Sequence, residues 1–148
     1  MKGINSIIDK VISVLNGISD MAVKVVSVYK VQIMDMPLAE PMITVGLQTL
    51  DADLRKNMLY AGEKNGTGVY SIPADVAISA NVYLPHTASG FFNYNVLTYM
   101  IEALLGSSLT VTKIEAGKMH YNSTFMCTIL PVTIHLHDRI CGDSEGGY

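Results

Sequence analysis

The chain of 148 residues carries a formal net charge of −3 and a sequence pI of about 5.7, which excludes a protein whose main task is gripping nucleic acid, because phosphate contacts need clustered Lys and Arg. Hydrophobic residues make up 49% and charged residues 16%, against about 25% charged in an average soluble domain, so part of the surface is expected to be covered by a partner or by copies of the chain itself. The length fits one domain, expected over residues 1–141 with a flexible tail over 142–148. Cys127 and Cys141 are too far apart in sequence to suggest a disulfide framework or a zinc site, and reduced thiols fit a cytoplasmic setting.

The first element is a helix. Ile4, Ile7, Ile8, Val11, Leu15 and Ile18 fall at helical spacing and make one apolar stripe. Asn5 or Ser6 is placed to cap its start, with Asp9 completing a box after Ser6, and Gly17 marks its end. Asp9 and Lys10 interrupt the stretch, so neither a signal peptide nor a membrane span is expected there. The period then changes to two. Val25, Tyr29, Val31 and Ile33 share one face of a strand predicted over Val25–Met34. Pro37 and Pro41 bracket a chain reversal, after which Ile43, Val45 and Leu47 alternate with Thr44, Gly46 and Gln48 in a second strand.

The pattern is lost over residues 51–75, which predicts a long loop. Connections average only about 4–6 residues, and one this long in a small domain usually makes a functional contact. Its charged residues Asp51, Asp53, Arg55, Lys56, Glu63 and Lys64 are the candidate subunit-interface residues, and deleting the segment is expected to leave the domain folded. Val76, Ile78, Ala80, Val82 and Leu84 then form the cleanest strand, stopped by Pro85. A second helix is predicted over Ser89–Leu105, with Phe92, Val96, Met100, Ile101 and Leu104 on one side and Gly106 beyond its end. Two strands close the chain, Leu109–Glu115 and Met119–His137. The apolar parity of the second changes at Pro131, from Phe125, Cys127 and Ile129 to Val132, Ile134 and Leu136, which predicts a bulge there that keeps both sets on the same core. The expected fold is α+β, a mostly antiparallel sheet of about five strands with two helices packed on one face.

No catalytic constellation emerges. His135 and His137 are alternate residues that point the same way along a strand, but a metal site needs three or four converging ligands, and Asp138 would point to the opposite face. His86 and His120 have no identifiable partner, and no G-x-S-x-G is present. Asp51-x-Asp53 lacks the rest of a calcium loop. The glycines from Gly62 to Gly68 lack the Gly-Lys-Ser/Thr of a phosphate cradle. The reading is therefore a non-enzymatic protein without cofactor or metal. The alternative is a small α+β enzyme or ligand-binding domain of hot-dog type, which would need an acid or histidine between the Phe92–Leu104 helix and the sheet, where Glu102 is that helix's only acid.

The order of elements resembles the tail terminator (tail completion) proteins of bacteriophages and phage-tail-like particles. The resemblance runs from about Ile4 to His137. It rests on the N-terminal amphipathic helix, the two strands with a long arm-like loop, and the Val76-Ala-Ile-Ser-Ala-Asn-Val-Tyr-Leu-Pro strand. That strand leads into the Phe91-Phe-Asn-Tyr-Asn-Val-Leu helix, and the Tyr121-Asn-Ser-Thr-Phe-Met-Cys-Thr-Ile strand follows. It implies a virion protein, assembled in the host cytoplasm, that forms a homo-oligomeric ring, usually a hexamer. The ring caps the tail tube, ends tail polymerisation and joins the tail to a neck or connector protein. In contractile tails a sheath protein is a further implied contact. DNA would only pass through the lumen, and no membrane is involved. Another tail or neck component is the neighbouring alternative.

Overall fold

The computed structural model describes residues 3–18, 23–27, 41–52, 59–85, 90–124 and 126–140. In chain order the elements are α1 (Ile4–Asn16), β1 (Lys24–Ser27), β2 (Met42–Ala52), β3 (Leu59–Lys64), β4 (Thr67–Pro85), α2 (Gly90–Leu105), β5 (Val111–Ala116), β6 (His120–Asn122), β7 (Cys127–Leu130) and β8 (Val132–Ile140). The fold is α+β, as expected, but among the described residues the sheet has eight strands and is mixed, where about five, mostly antiparallel, were expected.

The 19-residue strand β4 organises the sheet. On one side it pairs antiparallel with β2, and β2 pairs with β1. On the other it pairs with β8 over residues 72–79 and with β7 over residues 82–85. Beyond these, β5 pairs β8 and β6 pairs β7. The β1–β2 ladder is parallel, with Val25 opposite Ile43, where a reversal at Pro37 and Pro41 implied an antiparallel pair. Residues 28–41 are long enough for the crossover of about a dozen residues that parallel neighbours require. The rest of the strand expected up to Met34 lies outside the described residues.

Alternation decides which face is dry. Ile43 and Val45 of β2 lie opposite Val82 and Ala80 of β4, and Val76 and Ile78 lie opposite Leu136 and Ile134 of β8. All of these are buried, and they join Ile7, Val11 and Leu15 of α1 and Val96, Met100 and Leu104 of α2 in one core. Both helices thus pack on the same face of the sheet. Fully burying a Val, Leu or Ile side chain contributes about 1.5–3 kcal/mol, so this face dominates the stability of the domain. The N-cap of α1 is Gly3, two residues before Asn5 and three before Ser6, without a side-chain hydrogen bond, and Gly17 ends the helix as predicted.

Pro131 acts differently from expectation. Leu130 lies opposite Val82 and Ile134 opposite Ile78, four residues further on one strand and four back on the other, so the register does not shift across Pro131. The proline interrupts the ladder, because it has no N–H to donate, but introduces no bulge. Leu130, Val132, Ile134 and Leu136 therefore share the core face. Cys127 and Ile129 fall on the opposite face, in a small cluster with Met42 and Tyr83.

The segment expected to be a loop over 51–75 is largely strand. Asp51 and Ala52 complete β2, and β3 and the first half of β4 form a hairpin. Its turn is Asn65-Gly66, with φ of 53° and 80°. A two-residue turn with both φ positive is the mirror-image type whose twist matches paired strands, and Asn-Gly is its preferred pair. The rings of Tyr60 and Tyr70, direct cross-strand partners, meet edge-to-face with centroids 5.6 Å apart. Both lean over Gly68, whose missing side chain leaves them room. Among the described residues, β4 is the one element that contacts β3 substantially. The hairpin is thus an arm extending from the sheet.

Candidate functional site

Two surfaces stand out, the polar face of the sheet and the arm. On the polar face β8 presents Thr133, His135 and His137, the residues alternate to its core set. His135 Nε2 lies 2.6 Å from Glu115 Oε1 on β5, and Lys113 Nζ lies 3.5 Å from the same oxygen. His137 Nδ1 lies 2.8 Å from Asp75 Oδ1 on β4. The hydrogen bond from His135, and after it the charge of Lys113, hold the Glu115 carboxyl below its ordinary value of 4.5. The two imidazoles share a face, as their spacing predicts, but each is held by a different strand's carboxylate. Among the described residues no group of three or more His, Cys, Asp or Glu side chains is placed to hold a metal ion. A shallow pocket of about 230 Å³ lies between these pairs, lined by Thr49, Asp51, Asp75, Thr112, Lys113 and His135 among others.

Of the expected interface residues, the described ones lie on β2 and β3. Asp51 sits on the polar face directly opposite Asp75, and Glu63 is exposed on β3. Lys64 is the last residue of β3, opposite Thr67. Asp53, Arg55 and Lys56 lie outside the described residues, as do Cys141 and the tail over 142–148. Cys127 is a buried free thiol, and burial pushes its pKa up, which disfavours the reactive thiolate. Glu102 is exposed on α2, away from the helix–sheet interface. No helix among the described residues is long and apolar enough to cross a membrane.

The more informative side chains on the arm are apolar. Leu59, Tyr60 and Tyr70 are 55%, 59% and 49% exposed. Adjacent strand residues point to opposite faces, so the arm offers apolar surface on both. The sequence signal for it is Asn65-Gly66, the preferred pair of a two-residue hairpin turn, although Gly62, Glu63, Lys64 and Gly68 around it lack the alternating hydrophobics that mark strands. The arm's root is held by Arg139 of β8. Its Nε donates to Ser71 Oγ at 3.1 Å and its Nη2 to the Ser71 carbonyl at 3.0 Å. Ser71 is buried, and it stands where β4 passes from pairing with β3 to pairing with β8.

The chain matches no protein-family model and no curated protein.

Proposed function

We propose that this protein is a structural assembly subunit, and specifically a ring-forming subunit of the tail-terminator kind. In this reading it caps a phage tail tube, ends tail polymerisation and joins the tail to the neck. The observation that carries the assembly reading is the arm, a hairpin outside the helix–sheet core that exposes Leu59, Tyr60 and Tyr70. Aromatic side chains and low charge are what protein–protein contact surfaces enrich. A free-standing two-stranded hairpin is at best marginally stable in water, so an arm of this kind is best accounted for by a surface that receives it. The terminator assignment within that class is supported by the order of elements along the chain. A ring of identical subunits uses two different patches on each copy, and hydrophobic composition at low charge suits such contacts.

Electron microscopy of the purified chain, alone and mixed with tail tubes, tests the reading. Closed rings of one size, bound at one end of the tubes and halting their growth, are expected. A chain that stays monomeric and leaves tube growth unchanged would refute it.

A further inference from the structure

The chain holds two Asn-Gly pairs, Asn16-Gly17 and Asn65-Gly66, and the fold treats them differently. In an Asn-Gly pair the asparagine side chain is open to attack by the following backbone nitrogen, because glycine puts no side chain in the way. All four residues are exposed, so access of water does not separate the pairs. Asn16 is the last residue of α1, and Gly17 keeps a right-handed conformation with φ −75° and ψ −3°. The Gly17 N–H donates to the Ser13 carbonyl at 3.1 Å, an α-helical bond, and a side chain at Gly17 would stand 3.4 Å from the Val14 carbonyl oxygen. Gly66 lies in the turn at the tip of the arm. Among the described residues its N–H meets no backbone acceptor, and nothing lies within 4 Å of where its side chain would be. The flanking strand residues Lys64 and Thr67 close the turn, which leaves the amide of the second turn residue to water.

We propose that Asn65-Gly66 is a site of spontaneous covalent modification, deamidation through a cyclic imide, and that the helix end shields Asn16-Gly17 from the same reaction. Hydroxide removes the proton of the Gly66 amide, and the nitrogen attacks Cγ of Asn65. The N–Cγ bond forms, the Cγ–Nδ2 bond breaks, and Nδ2 takes a proton from water and leaves as ammonia. Water then opens the imide at either carbonyl. One opening gives an aspartyl residue, the other an isoaspartyl residue whose main chain runs through Cβ and Cγ. The first step needs a bare amide nitrogen, and an amide held in a hydrogen bond loses its proton slowly, so Gly17 is restrained where Gly66 is not. Attack also requires the backbone to open locally, which costs least at the end of a hairpin. Both products place a new negative charge at the arm tip. The isoaspartyl form also lengthens the main chain by one carbon, which a two-residue turn cannot absorb while keeping the register of its strands. The reaction needs no partner and so is independent of the assembly reading.

Peptide mapping by mass spectrometry tests this on the purified chain, incubated in mildly alkaline buffer with and without guanidinium chloride. In the native chain Asn65 is expected to exchange its side-chain NH2 for OH several-fold faster than Asn16, with isoaspartyl product at Asn65. In denaturant the two pairs are expected to react at similar rates, because only the fold distinguishes them. Hydrogen exchange of the isoaspartyl protein is expected to show lost protection in β3 and residues 67–71 and none in α1. Conversion at Asn16 as fast as at Asn65 in the native chain would overturn the proposal. So would a native chain inert at Asn65 while the unfolded chain reacts at both pairs, or a gap between the pairs that persists unchanged in denaturant. Unchanged exchange in the arm of the isoaspartyl protein would overturn the loss of the turn.

Discussion

The helix–sheet body and the arm share one strand but answer to different physics. In the body, β4 is flanked by β2 and β8, and its residues from Ala74 to Leu84 alternate between a dry face and a polar one. In the arm, the same strand pairs with β3 alone among the described residues, and apolar side chains are exposed on both faces. Burial holds the body together. The arm keeps its shape through the Asn65-Gly66 turn, the Tyr60–Tyr70 ring contact and the Arg139 anchor, none of which buries much surface. Stability and, in the proposed reading, contact fall on different stretches of one strand, so substitutions should separate them.

The largest effect belongs to the body. Ile78→Ala removes a fully buried side chain on the central strand, opposite Ile134, and is expected to cost about 2–5 kcal/mol in urea-induced unfolding. A change below about 1 kcal/mol would contradict the core described here. Next comes the boundary. Arg139→Ala leaves the buried Ser71 hydroxyl and carbonyl short of donors, a cost of about 1–3 kcal/mol, and hydrogen exchange should show arm amides losing protection before those of residues 76–84. Uniform loss across the sheet would mean that body and arm are one cooperative unit. On the arm itself, Tyr60→Lys should change stability by no more than about 1 kcal/mol, the range of a cross-strand pair, because its ring is largely exposed. The smallest effect is on the polar face. Glu115 is held below its ordinary value by His135 first and Lys113 second. Whatever stability this pair gives is present above the ordinary carboxylate range and lost as pH falls through the lowered value. Replacing His135 with Asn should move the Glu115 titration upward, as read by NMR, with little change in unfolding, since exposed pairs contribute little to stability.

The body was legible in the sequence where burial writes a period. The stripe Ile7, Val11 and Leu15 and the alternation from Val76 to Leu84 lead directly to α1 and to the core half of β4. The parallel β1–β2 pair was not legible, because a four-residue strand carries no mark of its partner's direction. At Pro131 the apolar run on both parities was read as a bulge. Cys127 and Ile129 are apolar because of a second small cluster on the far face, which periodicity alone cannot separate from the main core. The arm was missed because its strands face solvent on both sides, so no alternation marks them. Charged residues draw the eye in this stretch, but the exposed apolar side chains are Leu59, Tyr60 and Tyr70. The boundary matters for design as well: removing all of 51–75 would take Ala74 and the pairing of 72–75 with β8 out of the body, so only the hairpin itself is dispensable to the fold.

The central claim is that the arm serves assembly and the body serves stability. Native mass spectrometry of the wild-type chain beside a double variant, Tyr60→Lys with Tyr70→Lys, measures this directly when paired with the urea midpoint of each. The account predicts a single closed oligomer for the wild type, only monomer for the variant, and nearly unchanged midpoints. An oligomer that survives the double substitution, or a wild type that is monomeric at every concentration, would contradict it.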